Sequence, residues 1–176
     1  MKILDATCGF KGIWYQKNHP FVTFMDKRKE NIDGKTKNYK FKNRRRVKIN
    51  PDIVSTWKDA PFPDNYFDMI IFDPPHLIKN NGSKLSQMQK QYGYLNKDTW
   101  KQDIKEGVEK LFKILKPEGV FILKWCENNA RVEEVIKLMP YPPLFGSNTK
   151  SKGYTANYWI LFLKYDVNLK LDEYET

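Results

Sequence analysis

Short apolar runs separated by polar, Gly- and Pro-bearing stretches dominate the chain, and the densest stops abruptly: Met69, Ile70, Ile71 and Phe72 run straight into Asp73, Pro74, Pro75 and His76. Four consecutive apolar residues without alternation predict a central strand of a parallel sheet covered on both faces. The two prolines cannot continue the ladder, and they fix the backbone where the strand ends. Asp73 therefore stands at the carboxyl edge, where open α/β sheets bind ligands. Further strands are predicted over Lys2 to Leu4, Phe21 to Asp26, Val47 to Ile53 and Val120 to Trp125, the first three ending in or followed by an acid. Helical spacing of Trp100, Ile104, Val108, Leu111, Phe112 and Leu115 predicts a helix from Thr99 through Lys113, closed by a Lys116-Pro117-Glu118-Gly119 turn. Val132, Val135, Ile136 and Met139 share one face of a second helix over Ala130 to Met139, and a short helix over Gly12 to Asn18 stops before Pro20. Leu144-Phe145 and Tyr158 to Leu163 predict a closing antiparallel hairpin.

A length of 176 residues suits one domain, 1–176, with a real core, and no repeat or low-complexity block divides it. Hydrophobic content of 40% with 15% aromatic residues argues against disorder. The sequence shows neither a signal peptide nor an apolar run near the length a membrane span needs, so a soluble cytoplasmic protein with no membrane partner is expected. Cys8 and Cys126 are the only cysteines and His19 and His76 the only histidines, which speaks against a disulfide framework or a zinc site. Cys8 reads as a small packing residue.

Charge changes the picture more. Most of the net +10 sits between Lys27 and Lys48, where eleven basic residues meet only Glu30 and Asp33. That stretch holds an Asp33-Gly34 turn and the triplet Arg44-Arg45-Arg46 close to Tyr39 and Phe41, which together offer phosphate donors beside stacking faces. A nucleic-acid partner is favoured over a solvated loop. The long polar stretch Lys79 to Lys97 is expected to be a loop without structure of its own, a recognition lid beside the Asp73 corner or else an idle insertion. Lys150 and Lys152, between Ser147 and Asn157, offer a second nucleic-acid contact or an ordinary solvated loop.

Asp73-Pro74-Pro75-His76 resembles motif IV of the S-adenosylmethionine-dependent amino-methyltransferases, in which an acid or amide and two prolines precede an aromatic residue. The resemblance implies that Asp73 and the Pro74 carbonyl accept the two hydrogens of an exocyclic amine, freeing its lone pair for methylation, while His76 stacks on the base. Asp5-Ala6-Thr7-Cys8-Gly9-Phe10-Lys11-Gly12 is similar to motif I, implying a loop, including Ala6, Thr7 and Gly9, around the methionine part of the cofactor, with Asp5 holding its ammonium group. Asp26, 21 residues after Asp5, matches the motif II acid that accepts both ribose hydroxyls. Asp52, with Asp59 as the alternative, matches the acid that contacts the cofactor's adenine amine. The Ala60 to Asp68 lead-in and the Leu115-Lys116-Pro117 junction resemble the same enzymes.

The family resembled is that of class I methyltransferases of the DNA adenine-N6 type, in particular small phage-like DNA methylases. It implies an α/β, Rossmann-like fold with a seven-stranded, mostly parallel sheet in the order 3-2-1-4-5-7-6 and helices on both faces. It also implies S-adenosylmethionine as cofactor, direct transfer to adenine N6 of DNA, and the host cytoplasm as location. A duplex target would have to be flipped out, at a cost of a few kcal/mol. With no separate target-recognition domain after motif IV, and no room before Lys2 for an added cofactor segment, weak sequence selectivity and strong salt dependence are expected, or a specificity partner or homodimer. An RNA base N-methyltransferase (adenine N6 or guanine N2) and an inactive nucleic-acid-binding module of the same fold remain open alternatives.

Overall fold

The structure, a computed structural model, describes residues 1–32, 47–80, 82, 84–150 and 155–165. The Asp33-Gly34 turn, Tyr39, Phe41, Arg44 to Arg46 and Lys152 lie outside the described residues. In chain order the elements are β1 (Ile3–Asp5), β2 (Val22–Asp26), β3 (Glu30–Ile32), β4 (Val47–Ile49), β5 (Ile53–Val54), β6 (Phe67–Phe72), β7 (Ile78–Lys79), α1 (Gln87–Tyr92), β8 (Leu95–Asn96), α2 (Trp100–Ile114), β9 (Leu115–Cys126), α3 (Val132–Ile136), β10 (Phe145–Thr149) and β11 (Asn157–Leu163).

The apolar runs fold into one seven-stranded sheet in the order β5-β2-β1-β6-β9-β11-β10. Strands β5, β2, β1, β6 and β9 are parallel, and β11 runs antiparallel between β9 and β10. This is the expected Rossmann-like arrangement. Registry aligns Leu4, Ile70 and Phe121 on one face, with Phe72 level with Leu123. Against that face α2 packs Ile104, Leu111 and Phe112, and α3 packs Val132 and Val135, in a single buried cluster. Phe112 stacks on Phe121 with ring centroids 4.6 Å apart. The opposite face near β1 and β2 is covered by Trp14, packed with Ile3, Cys8, Val22 and Phe24. Among the described residues no helix lies between β1 and β2, so there the cover on the second face comes from turns. No helix among the described residues is long and apolar enough to cross a membrane.

Four local expectations are corrected. The predicted Gly12 to Asn18 helix is a series of turns: Lys11 takes φ 58° and Trp14 reaches back to Asp5, so seven residues including a glycine do not nucleate a helix. The single third strand over Val47 to Ile53 is two, because Pro51 has no N–H for a ladder; β4 pairs antiparallel with β3, and β5 alone extends the main sheet. Lys116 to Gly119 does not separate helix from strand but is extruded within β9, Phe67 lying level with Leu115 and Met69 with Val120. The stretch Lys79 to Lys97 has structure of its own: α1, capped by a reciprocal Ser86–Gln89 box, between the paired strands β7 and β8.

Gly107 on α2 is where packing is least forgiving. A Cβ there would lie 2.0 Å from Trp57 Cδ1 and 2.5 Å from its Nε1. Gly107→Ala gains about 1 kcal/mol in helix propensity but must displace a buried indole, and overpacking of this kind costs about 1–3 kcal/mol. Urea unfolding is expected to show net destabilisation; a variant more stable than the parent would mean that Trp57 moves freely.

Candidate active site

Three acids converge because three adjacent parallel strands end at one edge. Asp5 closes β1, Asp26 closes β2 and Asp73 follows β6, and all three line one cavity of about 270 Å³. The loop after β1 is stitched across the edge: Ala6 N–H donates to the Ile71 carbonyl (2.9 Å) and Cys8 N–H to that of Met25 (2.8 Å). Thr7 ties the two motifs together, its Oγ1 accepting the Asp73 N–H at 2.9 Å. Gly9 adopts φ +49° and donates its N–H to Asp26 Oδ2 at 2.9 Å. No atom lies within 4 Å of where a Cβ at Gly9 would stand, so the backbone is open on that side.

Asp5 is 1% exposed. Its Oδ1 accepts Thr7 N–H at 3.1 Å and its Oδ2 accepts Trp14 Nε1–H at 2.6 Å. Burial nevertheless pushes its carboxyl up to about 7, against those two hydrogen bonds and with help from the negative charge of Asp73 and Asp26. Cys8, buried in the same loop, has its thiol pushed well above the ordinary range by burial, which fits its expected packing role.

Asp73 faces a cation that the sequence reading did not assign. Lys124 Nζ spans its carboxylate, 3.0 Å from Oδ1 and 2.9 Å from Oδ2. Burial raises the Asp73 pKa, and the Lys124 charge and hydrogen bonds oppose that rise. His76 is pulled down to about 4, first by burial and then by Lys124, so near neutrality it is an uncharged imidazole. Pro74, Pro75 and His76 all line the cavity.

Asp52 and Asp59 lie outside this cavity. Asp52 is exposed and bonded back onto the sheet edge, its Oδ2 accepting Phe24 N–H and its own N–H donating to the Phe24 carbonyl. Asp59 is bonded locally to Thr56, at 2.5 Å. Neither lines the cavity beside which the adenine contact is expected; Trp57, between them in sequence, does.

The segment around α1 forms the cavity's outer wall, with Gln91, Tyr92 and Gly93 in its lining. Tyr92 meets the Phe10 ring edge-on, centroids 5.6 Å apart, and Gly93, at φ +82°, leaves 3.0 Å between its missing Cβ and Pro75. Arg28 fastens this wall to β2: its backbone N–H and Nε donate to Asp26 Oδ1, and a guanidinium N–H donates to the Lys90 carbonyl at 3.1 Å. Arg28→Ala is expected to speed hydrogen exchange in α1 by several-fold and leave α2 unchanged; equal exchange in both would show that Arg28 holds nothing.

No family model matches the sequence, and no curated protein does. Solved structures do match in three dimensions. A SAM-dependent methyltransferase from Methanosarcina mazei superposes at TM-score 0.54 and 12% identity, over 93% of this chain and 92% of that one. The fold is that of class I methyltransferases. The 1,6-didemethyltoxoflavin-N1-methyltransferase of Burkholderia thailandensis, solved with 1,6-didemethyltoxoflavin and S-adenosylhomocysteine bound, superposes at TM-score 0.52 and 13% identity, over 93% of this chain and 71% of that one. N-methyltransferase NodS of Bradyrhizobium japonicum superposes at 0.54 and 10%, over 94% and 86%.

Proposed function

We propose that this chain is an S-adenosylmethionine-dependent methyltransferase acting on an exocyclic amine of a nucleic-acid base, adenine N6 in DNA foremost. The observation that carries the reading is that the Asp73-Pro74-Pro75-His76 corner opens into the same cavity as Asp5, Gly9 and Asp26. The residues present suit the cofactor: both Asp5 oxygens and Asp26 Oδ2 accept one hydrogen bond each and keep a second lone pair, and the Gly9 backbone is open to the cavity. Asp26 Oδ1 accepts two from Arg28, of which the longer, from Nε at 3.3 Å, is the one a ribose hydroxyl would displace. When bound, S-adenosylmethionine supplies a methyl group on an electrophilic sulfonium. Asp5 takes the ammonium end, and Asp26 takes the ribose hydroxyls. Asp73 and the Pro74 carbonyl accept the amine's two hydrogens, localising the lone pair on nitrogen. The proton shed on methylation leaves along the hydrogen bond to Asp73, and neutral His76 offers the base an uncharged face.

A polymeric acceptor is supported by the charge of the chain and by a second groove of about 650 Å³ between β3 and the α1 segment, which shares Lys27, Arg28 and Gly93 with the cavity. The toxoflavin enzyme, named for a small heteroaromatic acceptor, supports instead a free small molecule of similar chemistry. Nucleoside mass spectrometry on DNA and RNA, purified separately from methylase-deficient cells expressing the protein or Asp73→Ala, decides. New N6-methyladenine in DNA that vanishes with the variant is expected; its appearance in RNA would move the substrate to RNA. No new methylated nucleoside in either pool, from a protein that binds S-adenosylmethionine, would exclude both as acceptors.

A further inference from the structure

Lys124 breaks the apolar run of β9. Leu123 and Trp125 beside it are fully buried in the core, while Lys124 points to the other face with its side chain 20% exposed. Registry places it beside the corner, since Leu123 is level with Phe72 and Asp73 follows. Its ammonium chelates both Asp73 oxygens and lies 5.9 Å from the centroid of the Trp159 ring on β11. We propose that Lys124 is a positioning residue that holds Asp73 as an oriented carboxylate and, by cancelling its charge, reserves the corner for an uncharged, weakly basic amine. The inference rests on the amine-methylating reading above and deepens it.

The first half follows from lone-pair counting. Each carboxylate oxygen accepts two hydrogen bonds, and Lys124 takes one at each oxygen, leaving one at each for an incoming amine. A protonated Asp73 would turn one oxygen into a donor facing the amine's own hydrogens. Burial drives the group that way, and the ammonium opposes it.

The second half follows from charge. Asp5, Asp26 and Asp73 share the cavity with Lys27, Arg28 and Lys124, three potential anions against three cations. His76 and Cys8 are held uncharged, and the Tyr92 hydroxyl comes from α1. An alkylammonium would find Asp73 already neutralised, would meet the like charge of Lys124 and would carry no lone pair to be methylated. An exocyclic amine on a heteroaromatic ring is neutral and needs only the two acceptors.

The test has an arm that needs no acceptor. In ¹³C-aspartate-labelled protein, with the Asp73 carboxyl resonance assigned by its loss in Asp73→Asn, its titration midpoint is followed in wild type, Lys124→Met and Lys124→Arg. An upward move of at least about one pH unit in Lys124→Met, restored by Lys124→Arg, supports the proposal; an unmoved midpoint in a folded Lys124→Met overturns it. Radiolabelled methyl transfer from S-adenosylmethionine is measured in parallel on an adenine-containing single-stranded oligodeoxynucleotide and on butylamine. Preference for the oligonucleotide supports the uncharged-amine selectivity, and preference for butylamine overturns it. Silence on both acceptors would count against the proposed base substrate alone, and the midpoint would still decide the role of Lys124.

Discussion

Asp73→Ala is expected to lower methyl transfer by roughly 10²- to 10³-fold, the range seen when one preorganised hydrogen-bonding group is removed from a reacting centre, while S-adenosylmethionine still binds. In the proposed reading the two effects separate, because Asp73 is assigned to the amine, whereas Asp5 and Asp26, which close other strands, are assigned to the cofactor. Among the described residues Thr7 bridges the loop after β1 to Asp73 directly, and it bonds the Asp73 backbone N–H, which alanine retains. The complication is Lys124. Removing the carboxylate leaves an ammonium, 20% exposed, without the partner it now chelates, and breaking a buried pair from one side is costlier than replacing both members. Asp73→Ala is therefore expected to lose stability as well as activity. The double variant Asp73→Ala/Lys124→Met should recover stability without recovering activity. Urea unfolding beside single-turnover transfer checks this; activity returning in the double variant would mean that the carboxylate serves the fold and not the amine.

What was legible in the sequence was what strand ends encode locally. Asp5, Asp26 and Asp73 each stand where an apolar run stops, and a parallel sheet carries such ends to one edge, so the meeting of the three acids at one cavity could be expected before any contact was known. Partners that depend on register across strands were not legible in that way. Lys124 meets Asp73 only because β9 lies beside β6 with Leu123 level with Phe72, although a lone lysine inside an apolar strand was a visible signal. Asp52 lies off the cavity because Pro51 interrupts the apolar stretch Val47 to Ile53 and the carboxylate bonds back onto Phe24. Helix α1 escaped because it buries no side chain and so carries no apolar periodicity, although its Ser86–Gln89 capping box was present in the sequence. Arg28 has no local signature either: its role is to join Asp26 to carbonyls more than sixty residues away.

Asp5 should make cofactor binding depend on pH near neutrality. Its carboxyl titrates at about 7 in the folded protein against 3.8 for the free group, chiefly because it is buried. Only the ionised form can pair with the cofactor's ammonium, so affinity is expected to rise between pH 6 and 8 and to fall about tenfold per unit well below 7. The stability of the unliganded protein runs the other way. An acid whose folded pKa lies above its unfolded value contributes most below about pH 4 and loses that contribution as pH rises to about 7. Three pH units at about 1.4 kcal/mol each bound the loss at about 4 kcal/mol. Melting of the free protein should therefore move down from pH 5 to 8, while the extra stabilisation by S-adenosylmethionine grows over the same range. Calorimetry in two buffers of different ionisation enthalpy should detect a proton released on binding at pH 6 and almost none at pH 8. In Asp5→Asn both trends should flatten and affinity should drop. The Thr7 N–H and the Trp14 Nε1–H meet different oxygens of Asp5, and in asparagine one of those positions becomes a donor NH2, so that variant also leaves a buried donor unpaired. Wild-type affinity that stays level from pH 6 to 8 would place the ammonium somewhere other than Asp5.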